Sequence, residues 1–309
     1  MRAKTLGRGL LVILLTVTTL AFSSCANIQL LKYSFTEKTP ANKALRAFPS
    51  QIPGAYGVYK IEVPEASHCL VHITQIHYVN GISEEEMKEI EKVQNNIYQI
   101  LDYIINYLSL KKVYQEGKMK DPDVFNTLLN FWDETLNEMF NQLISLSEID
   151  SGEINTIVAE SLKEKERSKE YYQKTSAVSR LVNQRKLKTM ASERASEAFK
   201  SMMFNYLANL YQEPFLTKTI SVEMIEEISN ALKEAIEDRE DVLLDIICQN
   251  NDTLAVTVYG AGHDWEDNIA KWNLHHPKHK FSFIKVIPES ASHLFILPSK
   301  NHYHYINLK

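Results

Sequence analysis

Two histidines follow strand-like runs, where a sheet protein often places side chains that bind ligands. His77 comes directly after the apolar run at 69–76, and His263 follows the run at 254–259 after a turn that contains Gly260 and Gly262. In open α/β sheets, ligands bind at the carboxyl ends of parallel strands. If these two strands are parallel neighbours, we expect both imidazoles at one site. The two glycines would let the backbone of the turn approach a bound group closely.

A second set of polar residues stands where apolar side chains are expected. Arg239 falls on the apolar stripe of a helix predicted from Ser221, and Gln94 falls on the inner face of an earlier helix. A buried guanidinium needs a partner, because a buried charge without one costs several kcal/mol. Glu116, at the end of a short strand, is the first candidate and Glu240 the second. The alternative is that Arg239 reaches solvent along its aliphatic stem.

The elements that carry these residues predict an α/β fold. Ser83 and Glu86 have the spacing of a capping box, and apolar residues then recur at three- and four-residue steps. Residues 69–117 therefore read as strand, helix and strand, a unit that requires parallel strands. Further strands are predicted at 56–63, 254–259, 281–287 and 293–297.

The domain organisation follows from these elements. We predict a single helix-rich α/β domain at 56–297, in which a partly parallel central sheet is flanked by helices. A large helical insertion is expected at 122–211, and residues 298–309 form a polar tail.

The amino-terminal residues have the pattern of a bacterial lipoprotein signal. Three cations (Arg2, Lys4 and Arg8) precede an apolar run at 10–22, which is too short for a membrane-spanning helix, and Ser23, Ser24 and Cys25 follow. We expect residues 1–24 to be removed, Cys25 to be acylated, and 25–55 to form the anchor and tether. Acyl chains such as palmitate would hold the chain on a membrane. Ala26 slightly favours the outer membrane of the bacterial cell envelope.

Composition limits the partners and the cysteine chemistry. The chain has a net charge of −5, and loss of the three cations of the signal leaves −8 on roughly 285 residues. This acidic balance predicts no nucleic-acid partner. If Cys25 is acylated, one disulfide could still join Cys69 and Cys248. We favour two free, buried thiols because both residues lie in apolar contexts.

Five segments together resemble a known superfamily: Thr74-Gln75-Ile76-His77, Gln94, Glu116-Gly117, Arg239-Glu240 and Tyr259-Gly260-Ala261-Gly262-His263. The set is similar to the group that contains the Tiki and TraB proteins, the erythromycin esterases and the ChaN haem-binding lipoproteins. The resemblance covers roughly 69–117 and 221–287. The first motif differs from the family pattern, which has glycine in place of Thr74 and threonine or glutamate in place of Gln75.

The resemblance implies a metal-dependent hydrolase that acts on an acyl or peptide bond of a small-molecule or peptide substrate. It implies a divalent metal held by His77, His263 and Glu116, with bound water as the nucleophile. Gln75 and Arg239 would orient the substrate or stabilise an oxyanion. Contacts to a cofactor would come from Gly260, Gly262, Tyr259 and Gln94.

Two alternatives remain open from the same residues. The first is a haem- or ligand-binding lipoprotein, with the histidines as axial ligands and Tyr78 or Tyr259 as substitutes. The second is a catalytically degenerate envelope scaffold, which the departures at Thr74 and Gln75 favour. Separately, the tract His275-His276-Pro277-Lys278-His279 has a spacing that permits a surface metal site, although it reads more simply as a loop.

Overall fold

A six-stranded sheet forms the centre of the computed structural model, which describes residues 38–76, 83–131, 171, 174–210 and 222–294. The strands are β1 (Ala55–Ile61), β2 (His68–Gln75), β3 (Lys112–Gln115), β4 (Lys188–Met190), β5 (Leu254–Gly260) and β6 (Phe281–Pro288). Their order across the sheet is β1-β6-β2-β5-β3-β4. Only the β1–β6 pair is antiparallel, and the other pairs of this sheet are parallel. The predicted α/β class with a partly parallel sheet is confirmed.

The helices cover both faces of the sheet. They are α1 (Ala41–Ala47), α2 (Glu84–Tyr107), α3 (Ala177–Asn183), α4 (Ala195–Leu210), α5 (Val222–Gln249) and α6 (Trp265–His275), and residues 122–131 are also helical. The predicted capping box is present at the start of α2. Ser83 Oγ accepts from the Glu86 N–H at 3.2 Å, and Glu86 Oε2 accepts from the Ser83 N–H at 2.7 Å.

Alternation along the central strands divides the core into two layers. Cys69, Val71 and Ile73 of β2 pack with α1, α2 and α3, whereas Leu70 faces the opposite layer with α5 and α6. Every residue of β2 and β5 is buried. Burial on both faces is what parallel strands require, and it accounts for their nearly continuous apolar sequences.

Two expectations about the chain's organisation are wrong. Residues 41–52 are part of the folded body and not a tether, because α1 buries Ala44 and Leu45, and Phe48 and Ile52 follow them into the core. A helix of seven residues between prolines is too short to show periodicity. The region at 122–211 is not wholly helical either, because it contributes β4 to the edge of the sheet.

The predicted strand at 293–297 is also absent over its described part. A 3₁₀ helix covers Glu289–Leu294 directly after β6, and its Ala291 is buried in the layer of α1 and α2. The remaining residues of that strand, 295–297, lie outside the described residues, as do the signal at 1–24, Cys25 and the tail at 298–309. Among the helices of the described residues, none has both the length and the apolarity needed to cross a bilayer.

Candidate functional site

Four parallel strands end beside one another and place polar residues along one edge of the sheet. Gln75 and Gly260 are the last residues of β2 and β5, which are paired at that position. Glu116 directly follows β3, and Glu193 comes three residues after β4. Because the carboxyl ends of parallel strands meet at the same edge, residues far apart in sequence form one cluster there.

Glu116 lies at the centre of this cluster. Its Oε2 accepts from the backbone N–H of Gly260 at 2.7 Å and from Gln75 Nε2 at 3.4 Å. Its Oε1 lies 3.2 Å from Nη2 of Arg239 on α5. Three strand ends and one helix therefore fix the position of a single carboxylate, whose side chain remains 11% exposed.

Arg239 is largely buried and paired with Glu116, as predicted, but its closer partner is Glu193. Arg239 Nη2 lies 2.6 Å from Glu193 Oε1, and the side chains of the two residues are 15% and 2% exposed. Although burial lowers the pKa of Arg239, the charges of Glu193 and Glu116 outweigh that effect and raise it. The guanidinium is thus a permanent cation that links two carboxylates.

Glu193 is the residue that sequence reasoning missed. Its Oε1 also accepts from the Gly117 N–H at 2.7 Å and from the Tyr259 hydroxyl at 3.3 Å. Gly117 has a φ of +79°, a left-handed conformation that glycine adopts without strain. The three-residue strand before Glu193 is too short to show alternation. No periodic signal in the sequence therefore marked this carboxylate.

His263 lies between two carboxylates. Its Nδ1 is 2.8 Å from Glu240 Oε1, and its Nε2 is 3.4 Å from Glu116 Oε1. Glu240 and Arg239 are adjacent on α5, so one turn of helix supplies both the partner of His263 and the partner of Glu116. Glu240 is 2% exposed. The imidazole ring therefore has a fixed orientation, with its Nε2 directed towards the edge of the sheet.

The protonation of His263 follows from these contacts. Burial alone lowers the pKa of the imidazole, but hydrogen bonds to Glu116 and Glu240, together with their charges, raise it to about 9. His263 is therefore a cation at neutral pH, and its Nε2 carries a proton.

The structure places the other predicted site residues differently. Tyr259 is fully buried, and its hydroxyl contacts the carbonyl of Ser192 and the carboxylate of Glu193, so it is part of the support of the cluster. Gln94 is buried on α2, and its Oε1 accepts from the Ala177 N–H at 3.0 Å, where it holds the start of α3. This hydrogen bond gives Gln94 a structural contact in the other layer of the core.

Backbone hydrogen bonds within the protein account for part of the glycine-containing turn at 260–263. Gly260 donates to Glu116, and the next residue, Ala261, donates its N–H to the carbonyl of Gln75 at 2.8 Å. Apart from Gly262 itself and its two chain neighbours, no described residue has an atom within 4 Å of a Cβ built at position 262, and the φ of Gly262 is not in the left-handed region. Packing among the described residues therefore does not require glycine at position 262.

Two of the three predicted metal ligands, His263 and Glu116, lie among the described residues. His263 Nε2 and Glu116 Oε1 are 3.4 Å apart, a separation that one cation would accept, but Arg239 Nη2 lies 3.2 Å from the same carboxylate oxygen. A cation here would stand beside a guanidinium. The described residues favour proton transfer over metal binding. His77 lies outside the described residues, so its convergence with His263 and the three-ligand set stay predictions.

The described candidate ligands for haem already have partners within the protein. Both ring nitrogens of His263 and the hydroxyl of Tyr259 have partners within the protein, so none of them offers a free ligand atom. Tyr78, the other substitute ligand, lies outside the described residues.

The fold and the site together define an α/β protein with a charged cluster at the carboxyl edge of its parallel strands. Comparisons of the chain with protein-family models, with curated proteins and with solved structures give no match.

Proposed function

We propose that this protein is a hydrolase that cleaves an acyl or peptide bond, and that His263 is its proton-transferring residue. The observation that carries the proposal is the line of three side chains Glu240, His263 and Glu116, with N–O separations of 2.8 and 3.4 Å. A buried carboxylate that orients an imidazole, whose other nitrogen faces a reacting edge, is a recurrent arrangement for acid–base catalysis.

The proposed reaction uses the two groups as acid and base. Water adds to the substrate carbonyl as its proton passes to Glu116, and His263 Nε2 donates a proton to the leaving oxygen or nitrogen. Glu116 Oε1 and His263 Nε2 are 3.4 Å apart, so the proton on Glu116 can pass to His263 and restore the starting protonation of both groups. The bond between the carbonyl carbon and the leaving group breaks, and a carboxylic acid and an alcohol or amine are released.

The surrounding residues keep this pair in place. Arg239 and the Gly260 N–H hold Glu116 from two sides, and Glu193 neutralises part of the charge of Arg239. With Arg239 and His263 as cations and three carboxylates, the cluster has a net charge of about −1 when all the carboxylates are ionised. A fixed set of charges of this kind stabilises charge that develops during the reaction without reorganisation.

The proposed location is the surface of a membrane in a bacterial cell envelope, with the chain attached through an acylated Cys25. The three cations, the short apolar run and the small residues before Cys25 support it. This location favours a substrate that belongs to the envelope or reaches it.

Hydrolysis of p-nitrophenyl esters and of fluorogenic peptides by the purified chain tests the proposal. His263→Gln should lower kcat by about 10²–10⁴-fold, the usual contribution of a positioned acid or base. Glu240→Gln should also lower kcat, because Glu240 orients the imidazole of His263. Glu234→Gln, at an exposed position of the same helix, is the matched control and should keep full activity. Activity should survive EDTA.

Two results would overturn the proposal. One is the absence of hydrolysis by the parent chain over both substrate classes. The other is a His263→Gln variant, folded by circular dichroism, that hydrolyses the substrates as fast as the parent. Loss of activity on chelation would instead indicate a catalytic metal held by His263, Glu116 and His77.

A further inference from the structure

Three side chains that ligate soft metals lie together at the opposite edge of the sheet. His68 is the first residue of β2, Cys248 lies one residue before the end of α5, and His279 lies two residues before β6. Strands β2, β5 and β6 are parallel, so they begin at the edge opposite to Glu116 and His263. This cluster is therefore separate from the candidate site and does not depend on its function.

The spacing of the three ligand atoms suits one metal ion. Cys248 Sγ lies 3.7 Å from His68 Nε2, and the ligand atoms of His68, Cys248 and His279 all lie within 4.8 Å of one another. Zinc bonds of 2.3 Å to sulfur and 2.0–2.1 Å to nitrogen at a tetrahedral angle place those two atoms about 3.6 Å apart. The first pair already has this separation, and His279, which is exposed, needs only a small movement to complete the set.

A hydrogen bond beside the cluster orients His68 in the way that a metal ligand needs. His68 Nδ1 lies 2.8 Å from the carbonyl oxygen of Asp252, which can only accept, so this nitrogen carries the hydrogen. The lone pair of the neutral ring then lies on Nε2, which faces Cys248. A backbone carbonyl that fixes the tautomer of a histidine is the usual second contact of a metal-bound imidazole.

Aromatic stacking restricts both rings further. His68 stacks on Phe281 with centroids 4.8 Å apart, and the ring of His279 stacks on His68 at 5.9 Å. The loop that carries His279 is held by Trp272, whose Nε1 donates to the carbonyl of His279 at 2.9 Å. Contacts within the protein therefore already hold most of the geometry, which lowers the cost of ordering the site on binding.

We propose that His68, Cys248 and His279 form a binding site for a zinc-class divalent transition ion. The ion takes Nε2 of His68, the thiolate of Cys248 and one ring nitrogen of His279, and solvent fills the fourth position. The thiol proton of Cys248 passes to solvent as the sulfur–metal bond forms. Magnesium and calcium do not suit this donor set, because both require oxygen ligands. A bound ion would join α5, β2 and the loop before β6.

Titration of the purified full chain with Co²⁺, followed by Zn²⁺ as competitor, tests this site. The parent chain should bind one Co²⁺ with the near-ultraviolet absorption of a thiolate-to-cobalt charge transfer, and Zn²⁺ should abolish that absorption. Cys248→Ser should remove the band, and His279→Gln should weaken binding at least tenfold. His279 is exposed, so the second variant is not expected to disturb folding.

His275→Gln is the matched control, because His275 is also exposed and belongs to the same short tract, yet its ring bonds only to its own helix at the Lys271 carbonyl among its described contacts. Its affinity for Co²⁺ should equal that of the parent. The proposal is wrong if the parent chain gives no charge-transfer band, if the band persists in Cys248→Ser, or if His275→Gln weakens binding as much as His279→Gln. Hydrolysis by the candidate site is not part of this measurement.

Discussion

Nδ1 of His263 lies 2.8 Å from Oε1 of Glu240, and this contact joins the turn after β5 to the middle of α5. It gives the imidazole two carboxylate partners, because Glu116 approaches its other nitrogen. Glu240 and Glu116 together determine the orientation of the His263 ring, its charge and which of its nitrogens is accessible.

The protein should lose stability at alkaline pH, because His263 loses its proton there. Its pKa is raised from 6.5 to about 9, so its contribution is fully present below pH 6.5 and is lost as the pH rises through about 9. The shift corresponds to a fall of roughly 3 kcal/mol in the free energy of unfolding. Urea unfolding at several pH values measures it. His263→Gln should lack this dependence, and an equal slope in that variant would contradict the assignment.

Replacement of Arg239 by alanine should be strongly destabilising. It leaves Glu116 and Glu193 close together and without their common cation, and breaking a buried pair costs about 3–5 kcal/mol. Arg194→Ala is the matched control. Its ion pair with Asp245 has both side chains more than one third exposed, and it should cost less than about 1 kcal/mol. Urea unfolding midpoints compare the two variants. Equal losses of stability would show that the ion pairs of Arg239 contribute no more than an exposed pair.

Gly117 and Gly262 should respond differently to alanine. Gly117→Ala forces a left-handed φ of +79° on a residue with a Cβ, so it should lose roughly 1 kcal/mol even though the space around it is open. Gly262→Ala has neither strain nor a described contact and should leave stability unchanged. If the turn approaches a substrate, Gly262→Ala should raise KM in the ester assay. A stable variant with unchanged KM would remove that interpretation of the glycine.

Cys25→Ser should block lipid attachment, since the thiol is the atom that becomes acylated. Growth with a clickable fatty-acid analogue, followed by gel fluorescence, measures the label on the chain. Cys69→Ala is the control and should label as the parent does, because Cys69 is a buried free thiol. Equal labelling of the Cys25→Ser variant would show that the lipoprotein prediction is wrong.

Much of the architecture follows from patterns that are local in sequence. The apolar runs of β2 and β5, the capping box at Ser83 and the three- and four-residue steps of α2 are patterns that each element shows by itself. Arg239 on an apolar stripe predicted a buried cation with a carboxylate partner, and Glu116 is one of its partners. The two cysteines of the described residues are free thiols, as predicted, but only Cys69 is buried, because Cys248 is partly exposed and contacts His68.

Other features depend on contacts between distant segments. Glu193 joins the site because a three-residue strand adds to the sheet edge, and Glu240 was one of two candidates for Arg239 but pairs with His263 instead. Helix α1 has too few residues to show its buried face. Residues of the tract at 275–279 separate in the fold, where only His279 joins His68 and Cys248.

Patterns along the chain predicted the class of fold, the carboxyl ends of β2, β3 and β5, and a buried cation at Arg239 that needed a carboxylate partner. The spacing of apolar residues is a property of a single element, so it can be recognised along the chain. Only the folded chain shows which carboxylates meet Arg239 and His263, and that a histidine, a cysteine and a second histidine meet at the amino edge of the sheet. Those pairings depend on strand order and helix rotation, which no local spacing encodes.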